Sequence, residues 1–150
     1  MELQRYKADL HIHTVLSPCG DLEMSPINIV LKAKERGLDI IAIADHNSTL
    51  QVAVTQEVGR QYGLVVLAAV EVTTKEEAHV LAFFNDDSQL AEFQQFLNNH
   101  LPKIANDEDR FGYQLIVNAA EEIVGEEPYL LINALDVDID ELYDVVHGIG

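Results

Sequence analysis

The stretch ADLHIHT at residues 8–14 decides the fold, together with IIAIADHN at residues 40–47. Each is an apolar, strand-forming run that ends in a polar segment. Residues two apart share one face of a strand, so the first run is expected to align three donors: Asp9, His11 and His13. A single His-x-His motif is more often two solvated histidines on a surface strand. The second run ends in Asp45-His46, and the two motifs together favour a metal site.

The first half of the chain alternates between apolar strands and helical patterns, which predicts an α/β fold with a mainly parallel sheet. The predicted strands cover residues 6–12, 39–44, 64–72 and 78–84. Ser25 and Pro26 are a typical N-cap and first residue for one helix, which closes at Gly37. A second helix is expected to be capped by Ser48 or Thr49 and to end at Gly63.

The second half of the chain has weaker patterns. A helix is predicted from about residue 88, with an apolar stripe that runs to Ile104. Residues 113–124 predict a β-hairpin, and residues 130–135 and 140–146 predict two short helices, with Asp138 or Asp140 near a cap. There is no repeat or clear linker, so residues 1–150 are expected to form a single domain.

Composition limits the classes of function. No apolar run reaches the roughly 18 residues of a membrane span, and the N-terminus lacks a signal-peptide pattern. Cys19 is the only cysteine, which fits a reducing compartment, so we expect a cytoplasmic protein with no membrane partner. The net charge of -17 argues against an extended nucleic-acid surface, although a small phosphorylated substrate held by metal ions remains compatible with it.

Two more polar residues interrupt the apolar strands of the first half. Glu71 lies within the run at residues 68–72, where a carboxylate is costly unless it is paired or bound to metal. His79 lies in the run at residues 78–84. Alone it would be interpreted as a hydrogen-bonded core histidine, but with three other histidines and a glutamate it is interpreted as a ligand. In parallel α/β folds such residues gather at the carboxyl ends of the strands.

The candidate donors exceed what one tetrahedral zinc ion requires. The expected metal ligands are His11, His13, His46, Glu71 and His79. We therefore expect two or more divalent ions, with Glu71 able to bridge them, and imidazole–carboxylate ligation suits zinc, manganese or iron. Asp9, Asp45 and Glu71 are the candidate catalytic carboxylates, with Asp9 and Asp45 orienting neighbouring ligands or binding metal directly.

At these residues the chain resembles the polymerase and histidinol phosphatase (PHP) superfamily. The resemblance rests on the motifs at residues 9–14, 44–47, 70–72 and 79–81, whose type, order and spacing agree over roughly the first 85 residues. It implies a distorted β/α barrel with up to three metal ions at the strand ends. It also implies that His11, His13, His46, Glu71 and His79 bind metal, and that the substrate is a phosphate monoester or a short nucleotide.

The chain departs from the family pattern in two places. The first family loop often supplies a metal-binding Asp, whereas here the loop has Cys19 and Asp21, either of which is a tentative substitute. The late Asp-x-His of the family does not occur after the first motif, and a complete barrel needs about 200 residues or more. We therefore expect a partial barrel, the N-terminal portion of a longer domain, whose open sheet edge favours homo-oligomerisation or a substitute cover.

Three hypotheses for function follow from these patterns. The leading one is a metal-dependent phosphoesterase that hydrolyses a small phosphate monoester, nucleotide or oligonucleotide through metal-activated water. The second is a non-catalytic PHP-like domain with a metal-binding, regulatory or interaction role. The third is a metal hydrolase of the amidohydrolase kind, which is disfavoured because no candidate bridging lysine lies near Glu71.

Overall fold

The computed structural model describes residues 2–150 as one mixed α/β fold. Its strands are β1 (Ala8–Ile12), β2 (Ile40–Ile43), β3 (Val65–Thr73), β4 (His79–Phe84), β5 (Leu115–Val117) and β6 (Ile123–Glu126). Its helices are α1 (Pro26–Glu35), α2 (Val52–Gln61), α3 (Asp87–His100), α4 (Glu108–Phe111) and α5 (Ile139–Ile149). Among the described residues, no helix has the length and apolar character needed to cross a membrane.

The main sheet has four strands in the order β1-β2-β3-β4. The first three are parallel and β4 is antiparallel to β3, while β5 and β6 form a separate antiparallel pair. The sheet does not close on itself. The predicted class, an α/β fold with a βαβαββ portion of a PHP-like barrel followed by a hairpin, is confirmed.

The first two helices begin in different ways. The Ser25 side chain caps α1 by accepting a hydrogen bond from the Asn28 backbone, as predicted. The prediction that Ser48 or Thr49 caps α2 is wrong, because this helix begins at Val52 after Gln51, which makes no side-chain cap bond. The Thr49 backbone and hydroxyl instead donate to Gln94 Oε1 of α3, at 2.7 and 2.8 Å. Thr49 therefore connects the loop before α2 to α3.

The two faces of the main sheet carry side chains of different size. In β2, Ile41 and Ile43 belong to the large core beneath the helices, whereas Ala42 and Ala44 belong to a small cluster with Ala69 on the other face. Since side chains alternate along a strand, β3 places Val70 among the helices and Glu71 on the alanine-lined face. The core therefore supports the sheet from one side and leaves the other side for polar groups.

Residues 101–137, here named the C-terminal segment, are mostly irregular and pack against the carboxyl ends of the strands. The Leu115 backbone donates to Val15 O at 3.1 Å, and the Leu135 backbone donates to Thr73 O at 2.9 Å. The helix predicted at residues 130–135 is wrong, because these residues form turns, a bend and irregular backbone. Leu130, Leu131 and Leu135 are nevertheless buried. Their apolar pattern marks a buried loop.

Helix α5 follows the C-terminal segment and confirms the helix predicted at residues 140–146. Asp138 is its N-cap in a capping box with Glu141, an arrangement that satisfies two backbone N–H groups at the helix start. Leu142 is buried in the common core. The two halves of the chain therefore share one hydrophobic core.

Candidate metal centre

Four imidazoles surround the carboxylate of Glu71. Its Oε2 lies 2.8 Å from His13 Nε2, 3.0 Å from His11 Nε2 and 3.5 Å from His46 Nδ1. Its Oε1 lies 2.8 Å from His79 Nδ1. The structure thus brings together all five residues that the sequence singled out as metal ligands.

The strands explain why these side chains meet. Glu71 lies near the carboxyl end of β3, and His46 pairs with it in a parallel bridge that extends the β2–β3 contact. The Glu71 backbone donates to Asp45 O, and the Asn47 backbone donates to Glu71 O. His79 opens β4 opposite Thr73, two residues along from Glu71 on the same face of the sheet. Ligands distant in sequence thereby become neighbours at one end of the sheet.

The protonation states of the central groups suit metal binding. Burial would raise the pKa of Glu71, but hydrogen bonds from His11 and His79 together with nearby imidazole charge lower that pKa to about 2. Burial and the neighbouring His13 lower the pKa of His46 to about 4. At neutral pH the carboxylate is therefore ionised and the His46 imidazole is neutral, with a free lone pair on its ring.

His46 provides a test of whether a metal fits here. Its side chain is 10% exposed, and its buried Nδ1 has no hydrogen-bond partner among the described residues. A buried polar atom without a partner is destabilising, and a cation near Glu71 would satisfy it. Donor atoms also fall within 4.8 Å of one another in three groups: His11, His13 and Glu71; His46, Glu71 and His79; and His13, Cys19 and His46. The donor set fits divalent ions.

Asp45 lies beneath the cluster and is only 1% exposed. Its Oδ1 accepts from the Thr14 backbone and the Ser17 hydroxyl, both at 2.7 Å, and its Oδ2 accepts from the Thr14 hydroxyl at 2.8 Å. Burial raises the pKa of Asp45, and these hydrogen bonds oppose the rise. With both oxygens occupied, Asp45 holds the loop after β1, and in the structure it acts on His13 and His46 through that loop.

Cys19 lies at the exposed end of the same loop. Its Sγ is 3.1 Å from His13 Nδ1, on the opposite side of the ring from Glu71. These contacts place Cys19 at the cluster. Partial burial of the sulfur raises the pKa of the Cys19 thiol.

Asp9 and Asp21 lie outside the three donor groups. Asp9 pairs in register with Ile41 before an irregularity in β1, lines the cleft beside α1 with Lys32 and Arg36, and accepts from the His11 backbone at 3.3 Å. The expected alignment of Asp9 with His11 and His13 fails because this irregularity breaks the strand alternation. Asp21 is exposed and accepts from the Glu23 backbone.

The two late histidines also lie elsewhere. His100 Nδ1 is 2.6 Å from Asp136 Oδ1, and His147 Nδ1 donates to Tyr143 O. Neither belongs to the donor groups. His147 makes a local contact within α5 and His100 contacts a residue 36 positions further along the chain, so neither supplies the late ligand that the family pattern implies.

The sequence interpretation missed three supporting residues. Thr14 and Ser17 hold Asp45, and the Ser17 hydroxyl also accepts from the His46 backbone at 3.2 Å. Asn47, with φ of 46°, donates from Nδ2 to Leu131 O and Asn133 O and accepts from the Thr73 backbone. The available signal was position: Thr14 and Asn47 directly follow candidate ligands, and Ser17 lies in the loop between His13 and Cys19.

An open α/β sheet with a histidine-rich, carboxylate-centred cluster at its strand ends defines a class of metal-binding hydrolase-like domains. The PHP domain family model matches residues 9–147, and the chain belongs to this family. An uncharacterized protein from Methanocaldococcus jannaschii is 35% identical over 89 residues, which cover 54% of this chain and 52% of that protein. The chain thus spans about half the length of the curated relative that it matches.

Solved structures give a similar result. A crystal structure from Bifidobacterium adolescentis, provisionally named a metal-dependent phosphoesterase, superposes with a TM-score of 0.53 at 31% identity, over 66% of this chain and 34% of that chain. An amidohydrolase from Chromobacterium violaceum superposes with a TM-score of 0.47 at 22% identity, over 60% of this chain and 32% of that chain.

Proposed function

We propose that this chain is a metal-dependent phosphoesterase that hydrolyses a small phosphate monoester or a short nucleotide. The observation that carries the proposal is the convergence of four imidazoles on the Glu71 carboxylate. Membership of the PHP family supports a hydrolase-like role, and the first solved neighbour supports phosphate as the substrate group.

In this proposal, two or three divalent ions would be held by His11, His13, His46, Glu71 and His79. Bound metal would supply a nucleophilic water near neutral pH and electrostatic stabilisation of the phosphoryl oxygens. Glu71 has both carboxylate oxygens directed at imidazoles, so it would hold metal together with histidines on either side.

The remaining residues hold this arrangement in place. Asp45 fixes the loop that carries His13 and, through Ser17, the backbone of His46. The side chains of His11 and His79 are 44% and 54% exposed, so the cluster opens to solvent between them. A small phosphate ester can approach from that side, which suits a compact substrate.

Phosphate release from the metal-loaded chain tests the proposal. With manganese or zinc, the chain should hydrolyse a nucleoside monophosphate or an aryl phosphate, and a chelator should abolish turnover. His13→Ala should lower kcat/KM at least ~10²-fold. The matched control is His100→Ala, which removes a histidine outside the cluster and should retain activity. Hydrolysis that survives both chelation and His13→Ala contradicts the metal mechanism.

A second candidate function is a non-catalytic PHP domain that binds metal and serves regulation or interaction. The observation in its favour is that, among the described residues, the late histidines His100 and His147 lie outside the donor groups. Stoichiometric metal binding without phosphate release from any monoester would favour this role over catalysis.

A further inference from the structure

We propose that Cys19 is a metal ligand, and that Cys19, His13 and His46 form a sulfur-containing site selective for zinc-like ions over manganese. The inference deepens the proposed function, since it rests on metal binding at the same cluster. It assigns a role to the one donor near the cluster that is neither imidazole nor carboxylate.

The distances match a shared ion. Cys19 Sγ lies 3.1 Å from His13 Nδ1, and donor atoms of Cys19, His13 and His46 all lie within 4.8 Å of one another. Zinc binds sulfur and imidazole nitrogen at about 2.3 and 2.0 Å, so two ligand atoms on one tetrahedral ion are about 3.5 Å apart. These three side chains need only small adjustments to reach that geometry.

His46 gives an independent reason to expect a ligand at this site. Its imidazole is nine-tenths buried, and its Nδ1 lacks a hydrogen-bond partner among the described residues. The ring lies 4.4 Å from the ring of His13, centroid to centroid. A cation bound to this ring would satisfy its Nδ1, which lies 3.5 Å from Glu71 Oε2 without a hydrogen bond.

The loop that carries Cys19 is constrained. The Gly20 backbone donates to Ser17 O at 2.8 Å, and a Cβ at Gly20 would collide with Thr14 O. Ser17 is in turn held by Asp45. The tight turn therefore fixes the position of Cys19 relative to His13 before any ion binds.

The chemistry of sulfur sets the selectivity. Thiolate is a soft donor that favours zinc, cobalt or iron, whereas manganese favours oxygen. When the ion binds, the thiol proton passes to solvent and the Sγ–metal bond forms, so binding releases one proton from Cys19. A change of Cys19 to Asp supplies oxygen instead and should shift the preference toward manganese.

Alkylation of the wild-type chain provides a direct test, because Cys19 is its only cysteine. Chelator-treated protein is incubated with zinc, with manganese or with neither ion, and the rate of iodoacetamide modification is measured by mass spectrometry. Zinc should slow the reaction at least ~10-fold, because coordination withdraws negative charge from the sulfur and restricts access to it, and manganese should protect far less. An unchanged rate in protein that holds stoichiometric zinc overturns the proposal.

Cobalt gives a second measurement that does not depend on activity. The Co²⁺-loaded wild type should show a sulfur-to-cobalt charge-transfer band in the near ultraviolet, which Cys19→Ser should lose. The matched control is His100→Ala, which removes a histidine outside the three donor groups and should retain the band. If Cys19→Ser fails to fold, the alkylation result on the wild type decides alone.

The two proposals fail in different ways. Zinc protection of Cys19 and a cobalt band without phosphate release would keep the sulfur site and contradict the phosphoesterase activity. Zinc-dependent phosphate release with an unprotected Cys19 would keep the activity and overturn the sulfur site. Rapid alkylation that ignores every metal would also overturn it and would indicate a thiol–imidazole pair.

Discussion

The sheet half of the chain, residues 8–84, and the C-terminal segment, residues 101–137, are ordered by different interactions. The sheet half uses strand ladders and an apolar face that packs beneath helices. The C-terminal segment has little regular structure and is held by three buried side-chain amides: Asn47, Gln51 and Gln114. The difference teaches that a loop can be as well specified as a sheet when buried polar groups bind its backbone.

These amides are matched to the backbone that they bind. Gln51 donates to Val117 O at 2.8 Å and accepts from the Val117 backbone at 3.0 Å. Gln114 donates to Glu127 O and Tyr129 O and accepts from the Leu131 backbone. Both glutamines are fully buried. Because unpaired backbone groups are costly in a core, each amide replaces the ladder partners that the segment lacks.

The largest expected effect comes from the sheet half and its cluster. Glu71→Gln should abolish stoichiometric binding of zinc or manganese and lower phosphate release at least ~10²-fold, because the amide cannot offer a bridging charge. Metal analysis and kcat/KM measure both. The control is Glu92→Gln on the exposed surface of α3, which should change neither. Full metal occupancy in Glu71→Gln would show that the sheet half does not build the centre.

The next effect should be confined to the C-terminal segment. Gln114→Ala removes three hydrogen bonds from buried and half-buried backbone groups and should cost about 3 kcal/mol. Hydrogen exchange should show lost protection in β5 and β6 while β2 and β3 keep theirs. Gln95→Ala, an exposed change in α3, is the control. Uniform loss of protection across both regions would erase the distinction between them.

A smaller effect tests the packing of the sheet half. A Cβ at Gly59 of α2 would lie 2.5 Å from Val66 Cγ2 of β3, so Gly59→Ala should cost about 1–3 kcal/mol through overpacking. Urea unfolding provides the measurement. Gly148 in α5 has no atom within 4 Å of an added Cβ, so Gly148→Ala should be neutral or slightly stabilising. Equal effects at the two glycines would contradict the close approach of α2 to β3.

The smallest effect concerns the charge at the start of α5. The hydrogen bond from the Glu141 backbone N–H lowers the pKa of Asp138 most, and the hydrogen bond from Lys75 lowers it further. Because the folded-state pKa is lowered, the ionised Asp138 stabilises the fold when the pH is above its unfolded-state pKa of about 4. That stabilisation is lost as the pH falls through the lower folded-state pKa. Asp138→Asn keeps a capping side chain but removes the charge.

Asp138→Asn should therefore lower the Tm slightly at pH 7, and the difference from wild type should shrink below about pH 4. Thermal unfolding followed by circular dichroism across this range is the measurement. Asp144→Asn, an exposed change further along α5, is the control. A difference that stays constant down to acid pH would show that the charge does not contribute.

The sheet half could be predicted because its signals are local. Alternating or continuous apolar runs identified β1 to β4, and Ser25, Gly37 and Gly63 marked helix ends. The candidate ligands could be predicted as well, since the topology of parallel strands brings His11, His46 and Glu71 to one end. The displacement of Asp9 could not, because the irregularity in β1 has no clear sequence signal.

The C-terminal segment could not be predicted because the side chains that hold its backbone lie far away in the sequence. Leu130, Leu131 and Leu135 resemble one face of a helix, yet the Leu131 carbonyl accepts from Asn47 and its N–H donates to Gln114. No local pattern shows that a glutamine will be buried against backbone far away. The short helix α4, capped by Asp107, was missed because four residues carry too little periodicity.

The amide contacts also set an order of events in folding. Asn47 binds carbonyls 84 and 86 residues further along the chain, and Gln51 binds one 66 residues away. Closing such long loops is entropically costly and slow compared with pairing neighbouring strands. The sheet half is therefore expected to form first and to serve as a template, so refolding should end with a slow docking phase that brings the C-terminal segment over the strand ends.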